Sequence, residues 1–481
     1  MKGFFKNFFT LFIGTGLNIL ISLVTVPIIT RLVNPSEYGQ LSFFNMYSNI
    51  AYIILLLGLD QAYVRFFYKS NEEIYKRGIF YSCLKWPIIL TSIVSIFIVI
   101  FGRNMLQVEE KYTNIVLLIF ILNLFSLILQ RFVLLTLRLE MNTKLFSFLN
   151  VLSKIIYTIL AITLILIIKK DYYLILIFST FFSTFATVVI GILCKRKLYI
   201  NKNISTKGIN KIELLKYGYP FIFSSILSMG FQYADKLTIK HYGTYEDVGI
   251  YAGALNIISM FSIINNVFNT LWAPMSMEHY EKQPNNKEFF IKGNQFITVI
   301  MFFMAINMIL FKDIISMFLD KQYRLAAYIL PFLVFEPVMN TISETTVNGI
   351  NFAKKSKMHI IITFCCCIVN VIGNVILIPI IGSKGAAIST GLSYILFFIL
   401  RTLIANHYYY IDFKLKKIFI LIFFTIIYAL YNTFFQFNWI TIIAYLSLCY
   451  LIYKLYSDTI YQGIYILRNK WKNVRNKIIH Y

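Results

Sequence analysis

The sequence predicts an all-α polytopic membrane protein, with about fourteen transmembrane helices in two parallel six-helix halves followed by two C-terminal helices. Three observations lead there. Hydrophobic residues fill 58% of 481 positions and charged residues only 14%; mean hydropathy is +0.71, outside the range of soluble domains. Apolar runs of roughly 20 residues, enough to cross a bilayer, recur along the whole chain. A short motif near residue 37 returns near residue 247.

Hydropathy places spans near 8–32, 41–59, 79–101, 113–136, 146–168, 172–194, 216–239, 249–273, 293–319, 327–350, 358–381, 385–405, 418–435 and 439–456. The first follows Lys2 and Lys6, is too long for a cleavable signal and lacks a small-x-small cleavage site, so it reads as a retained span. Basic residues orient the stack. One side collects Lys2, Lys6, Arg65, Lys69, Lys76, Arg77, Arg138, Lys144, the loop from Cys194 to Lys216, the run from Ala353 to Lys357, and Lys414 to Lys417. The same side takes the tail with Arg468, Lys470, Lys472, Arg475 and Lys477. The other side has short loops with scattered bases such as Arg31, Arg103, Lys169, Lys170, Lys240 and Lys384. The positive-inside rule then puts both termini in the cytoplasm, in agreement with an even span count.

The net charge of +24 needs no nucleic acid, because anionic membrane lipids beside the cytoplasmic loops are its expected partners. The tail from Leu467 to Tyr481 reads either as an amphipathic segment on the inner leaflet or as a solvated tail. The six cysteines lie in apolar segments. Three of them, Cys365 to Cys367, point in three directions on a helix, so no metal site is expected.

A shift of 210 residues lays Glu37-Tyr38-Gly39 on Asp247-Val248-Gly249. In each copy a long apolar run ends, an acid suited to a helix N-terminus follows, and a glycine is expected to permit the tight entry. Six spans separate the copies, so they point the same way, as in transporters built from two parallel halves. The organisation expected is an N-terminal half (1–197), a basic cytoplasmic linker (198–215), a C-terminal half (216–412), two extra helices (413–456) and a basic cytoplasmic tail (457–481).

The stretches NFFTLFIGTGLNILISLVTVPIITRLVNPSEYGQLSFF (7–44) and YGYPFIFSSILSMGFQYADKLTIKHYGTYEDVGIYAGALNI (217–257) carry a resemblance. They resemble the openings of the two halves of Wzx-type oligosaccharide flippases, the polysaccharide biosynthesis membrane proteins of the multidrug/oligosaccharidyl-lipid/polysaccharide (MOP) exporter superfamily. The resemblance implies a non-enzymatic flippase of a bacterial inner or plasma membrane. By alternating access it would carry a polyprenyl-diphosphate-linked oligosaccharide to the outer leaflet for surface polysaccharide such as capsule or O-antigen. Polysaccharide assembly proteins are implied partners. No cofactor is implied, although H⁺ or Na⁺ could drive the cycle.

Ionisable residues at membrane depth cost roughly 2.5–3.5 kcal/mol or more at a helix centre and so ask for a role. Lys154, Lys85 and Lys236 are the candidate cavity cations for a diphosphate, Lys85 having a snorkelling alternative. Glu336, Asn340, Glu344 and Asn348 recur every four residues, making a stripe that either lines an aqueous path or glues a helix seam. Asp235, Glu336, Glu344 and Asn340 are the candidate gating or ion-coupling residues. Asp235 and Lys236 are neighbours 100° apart and cannot pair well; they are expected near the outer end of the seventh span, on a surface that moves, with Lys236 meeting the headgroup. A drug/cation antiporter of the same superfamily is the nearer alternative. A membrane polymerase or glycosyltransferase is disfavoured by short outer loops without D-x-D or E-x-D, and a passive scaffold would not need buried charges.

Overall fold

A computed structural model of the chain describes residues 2–70, 72–102, 110–199 and 209–479. Of the expected features, Arg103 and half of the 198–215 linker (200–208) lie outside the described residues, as do the side chains of Lys2, Lys6 and most of the tail. The first helices are α1 (Lys2–Leu32), α2 (Pro35–Leu55), α3 (Leu59–Phe66), α4 (Glu73–Phe101), α5 (Glu110–Leu139), α6 (Thr143–Ile168), α7 (Tyr172–Cys194) and the short α8 (Arg196–Tyr199). Then come α9 (Lys211–Tyr242), α10 (Tyr245–Lys282), α11 (Glu288–Leu310), α12 (Lys312–Ser316), α13 (Ala326–Leu333), α14 (Phe335–Thr346) and α15 (Asn348–Phe352). The last are α16 (Lys357–Ile381), α17 (Ser383–Tyr408), α18 (Leu415–Phe434) and α19 (Trp439–Ile479). No strand occurs among the described residues.

Every expected span falls on a helix or on helices in series. Among the described residues eleven helices are long and apolar enough to cross a bilayer, or twelve when α2 and α3, bent by 54°, count as one span. The two that fall short of fourteen are α9 and α10. At 32 and 38 residues they have length to spare; Gln232, Asp235 and Lys236 dilute the apolar character of α9, while the side chains at 262–264, 266 and 267 in the middle of α10 lie outside the described residues. Elsewhere the outer faces are greasy: Ile96, Phe97, Val99, Ile100 and Phe101 of α4 are all exposed, as suits contact with lipid tails.

Helix contacts divide the chain into two units, Met1–Tyr233 and Ala234–Tyr481. In the N-terminal unit α6 packs on α1 and α7, and α5 on α7. In the C-terminal unit α17 packs on α16 and α14, and α19 on α11.

The repeated motif is a pair of helix N-caps. Asn34 accepts from the Glu37 amide at 2.9 Å. Its counterpart Thr244 accepts from the Asp247 amide while Asp247 accepts from the Thr244 amide, a complete capping box. The glycines play a different part from the expected one. Gly39 and Gly249 lie one turn inside α2 and α10 and are buried, so the caps make the turns and the glycines lie within the helices.

Glycine matters where backbones touch. A Cβ on Gly58 (φ +66°), at the α2–α3 bend, would fall 2.1 Å from the Gly218 carbonyl oxygen. Along the α16–α17 seam, a Cβ on Gly373 would lie 2.4 Å from Ser389 Oγ, and one on Gly385 would lie 2.6 Å from the Leu377 backbone. Membrane helices gain little from burying apolar surface against each other, so close approach at small residues supplies the packing.

Candidate functional site

The seventh long helix, α9, carries its acid into the interior of the C-terminal unit. Asp235 is 5% exposed, and its carboxylate accepts four hydrogen bonds. Tyr251 Oη and Thr390 Oγ1 donate to Oδ2 at 2.5 and 2.6 Å. Asn374 Nδ2 and Asn370 Nδ2 donate to Oδ1 at 2.7 and 3.2 Å. Asn370 and Asn374 are four apart on α16 and therefore share a face. Asn370 is held in turn by Ser389 of α17, whose hydroxyl donates to its carbonyl at 2.8 Å. Four donors fill the lone-pair sites of an ionised carboxylate, which is how a buried negative charge is tolerated. Asn374 Oδ1 is buried without a partner. A half-turn of that amide would aim this oxygen where its nitrogen now points, replacing a donor beside Asp235 by an acceptor.

Lys236, the next residue, is half-buried and lies a further 100° around α9. The two side chains leave α9 in different directions, as expected of helix neighbours, and Asp235 is enclosed inside its own unit.

The polar stripe is carried by α14. In this helix the only residues that are not buried are Glu336, Asn340 and Glu344, so a single stripe is open on an otherwise enclosed helix. Asn348 departs from the pattern: it is 3% exposed and donates to the Thr345 carbonyl. The two acids differ. Glu344 is tied to Arg401 Nη1 at 2.8 Å, and the same nitrogen donates to Ser343 Oγ at 2.6 Å. Glu336 has only the Tyr394 hydroxyl, at 3.3 Å, and lies near enough to Asp235 for their charges to interact.

The N-terminal unit holds cations. Lys154 is half-buried in α6, its ammonium 5.7 Å from the Tyr157 ring centroid. It takes part in none of the salt bridges among the described residues. Lys85 is exposed next to Trp86 on α4. Sequence reasoning missed Arg131 of α5, which reaches Asp60 Oδ2 through Nη2 at 2.7 Å and Nε at 3.2 Å. Gln61 also donates to that oxygen. Asp60 is 6% exposed, whereas the Arg131 side chain is 37% exposed, so part of the guanidinium remains open. Both lie beside the strained Leu57–Gly58 bend.

Among the described residues no three His, Cys, Asp or Glu come together as a metal site. What the arrangement offers is two partly open cations, Lys154 and Arg131, in one unit and an enclosed carboxylate, Asp235, beside an open acidic stripe in the other.

Two units of helices long and apolar enough to cross a membrane, each carrying charged side chains, make a multi-pass all-α membrane protein. The lipid II flippase MurJ, in an inward closed conformation, superposes with TM-score 0.69 at 15% identity over 94% of this chain and 98% of that one. An inward-facing multidrug resistance MATE transporter gives 0.59 at 13% identity over 81% and 94%, and an outward-facing one 0.54 at 16% over 83% and 93%. At such identities the likeness concerns fold alone. The chain belongs to the polysaccharide biosynthesis protein family, whose model matches residues 4–280. No curated protein matches the sequence.

Proposed function

We propose that this protein is a flippase that moves a polyprenyl-diphosphate-linked oligosaccharide from the cytoplasmic to the outer leaflet of a bacterial inner membrane. The observation that carries this reading is Lys154: a half-buried lysine inside a membrane-crossing helix that joins no carboxylate among the described residues. Arg131 adds an open guanidinium edge in the same unit. A diphosphate crossing a low-dielectric layer needs such fixed, hydrated cations. Family membership and the likeness to a lipid II flippase support the substrate class.

The same reading assigns the driving ion to the C-terminal unit. Asp235, enclosed, and Glu336, on the open stripe of α14, are two acids near enough for their charges to interact, an arrangement that attracts one cation. H⁺ or Na⁺ would be held by Asp235 with Asn374 Oδ1, once that amide turns, and by the oxygens of Thr390 and Tyr251. Occupancy then changes which donors Asp235 needs, and so couples ion binding to the packing of α16 and α17. Both termini are placed in the cytoplasm by the distribution of bases. The protein performs no covalent step.

The test is transport in proteoliposomes of a fluorescent lipid-linked oligosaccharide, with and without an imposed H⁺ or Na⁺ gradient. Gradient-dependent movement that vanishes in Lys154→Ala is expected. Movement of organic cations, with none of the lipid-linked sugar, would replace this reading by a drug/cation antiporter.

A further inference from the structure

Four segments end at one end of the C-terminal unit: α11 runs into α12, α13 and α17 begin, and α18 ends. There Tyr328 meets two lysines. Lys312 Nζ lies 4.4 Å from its ring centroid and Lys384 Nζ 4.6 Å, with Lys384 also 5.5 Å from the Phe434 ring. Two ammoniums drawn to one ring repel each other unless an anion joins them.

Lys312 is already spoken for. It is 1% exposed, donates to the Phe435 carbonyl at 3.3 Å and faces Asp313 at 3.5 Å. Burial lowers the pKa of its ammonium from the usual lysine value; Asp313 opposes this and the Lys384 charge adds to it. Lys384 is different. It is half-buried and joins none of the salt bridges among the described residues. As the second residue of α17 it also sits at a helix N-terminus without a side-chain cap, a place that favours anions.

The depth is set by an independent feature. Phe434, Phe435, Phe437 and Trp439 are 45%, 54%, 52% and 80% exposed, an aromatic fringe of the kind that settles at the headgroup level. The charge pattern of the loops is the basis for taking this end as the outer face; Asp313, Asp320, Lys321 and Arg324 lie in α12 and its connection to α13 at the same end. A free cation, a helix N-terminus and a π platform at headgroup depth suit a phosphate that stays attached to a lipid.

We propose that Lys384, backed by Tyr328 and Lys312, forms a binding site for a phosphate-bearing lipid headgroup at the outer end of the C-terminal unit. The occupant is either an anionic phospholipid of the outer leaflet or the diphosphate of the arriving substrate; only the second rests on the function proposed above.

The experiment uses the full-length protein in phosphatidylcholine nanodiscs, titrated separately with phosphatidylglycerol and with undecaprenyl diphosphate and read by native mass spectrometry. Lys384→Gln should weaken binding of at least one of the two about tenfold, the loss of one charge-assisted contact, and Lys384→Arg should keep it within about threefold. Loss for undecaprenyl diphosphate identifies the substrate headgroup as occupant; loss for phosphatidylglycerol alone identifies bulk lipid. Unchanged binding of both lipids by Lys384→Gln overturns the site. A failure of the flippase reading would show instead as absent transport with this binding intact.

Discussion

The two units treat charge at membrane depth in opposite ways. In the N-terminal unit two cations are left partly open: Lys154 is half-buried with its ammonium near an aromatic ring, and Arg131 keeps over a third of its side chain accessible while pairing with the buried Asp60. In the C-terminal unit the charges are chiefly carboxylates closed over by donors, with Asp235 receiving four hydrogen bonds and Glu344 an arginine. A large anionic headgroup needs a hydrated, roomy surface, because it brings several oxygens and leaves again. A small driving cation can be stripped of water and held by fixed protein oxygens. Under the proposed function, the contrast would put the cargo in one unit and the driving ion in the other.

That division can be broken most sharply at Asp235. Asp235→Asn keeps the shape and should still insert and fold, but transport should fall to background, on the order of 100-fold or more; gradient-driven transport by this variant would dissolve the contrast. Asp235→Ala should in addition lower thermal stability, by on the order of 2–3 kcal/mol, because buried donors lose their acceptor. Lys154→Ala should reduce transport at least about tenfold with protein levels unchanged, and Lys154→Arg should recover part of it. Normal transport by the alanine variant would leave the N-terminal unit without its cation. Arg401→Met should act on stability first, with a loss of about 1–3 kcal/mol seen as earlier thermal unfolding, since Glu344 and Ser343 lose a buried partner. The finest test is accessibility. In a cysteine-free background, Cys at 336, 340 and 344 should react with polar thiol reagents, while Cys at 338 and 342 should stay inert; equal reaction at all five would erase the stripe.

The membrane class, the helices and the α14 stripe could all be read from the sequence, because hydropathy and a four-residue period are local signals. Intramembrane charge pointed to Asp235, Lys154 and Glu336 for the same reason. Their partners are another matter. Asp235 finds Tyr251 sixteen residues on but Asn370, Asn374 and Thr390 more than a hundred residues away, and only folding shows that pairing. Two signals were nonetheless present. Asn370 and Asn374 stand four apart within an apolar run, and Arg131 and Arg401 lie within or at the edge of spans where any arginine calls for a partner. Asp60 was hidden because the sequence placed it at a span end, whereas the structure turns it inward after the Leu57–Gly58 bend.

The α16–α17 seam has a consequence for how this protein can change over generations. The donors around Asp235 can be kept in place only if the helices carrying them stay in contact, and that contact depends on two residues with no side chain, Gly373 and Gly385. A single methyl at Gly373 would meet Ser389, whose hydroxyl holds the Asn370 backbone. Drift can therefore reach the Asp235 network without touching any polar residue in it. The lipid-facing positions of α4 or α6 can exchange one bulky apolar residue for another almost freely, whereas these two small positions admit almost nothing. Mutational tolerance along α16 and α17 should thus follow helix spacing as much as chemistry, with its deepest minima at residues that have no side chain to make a hydrogen bond.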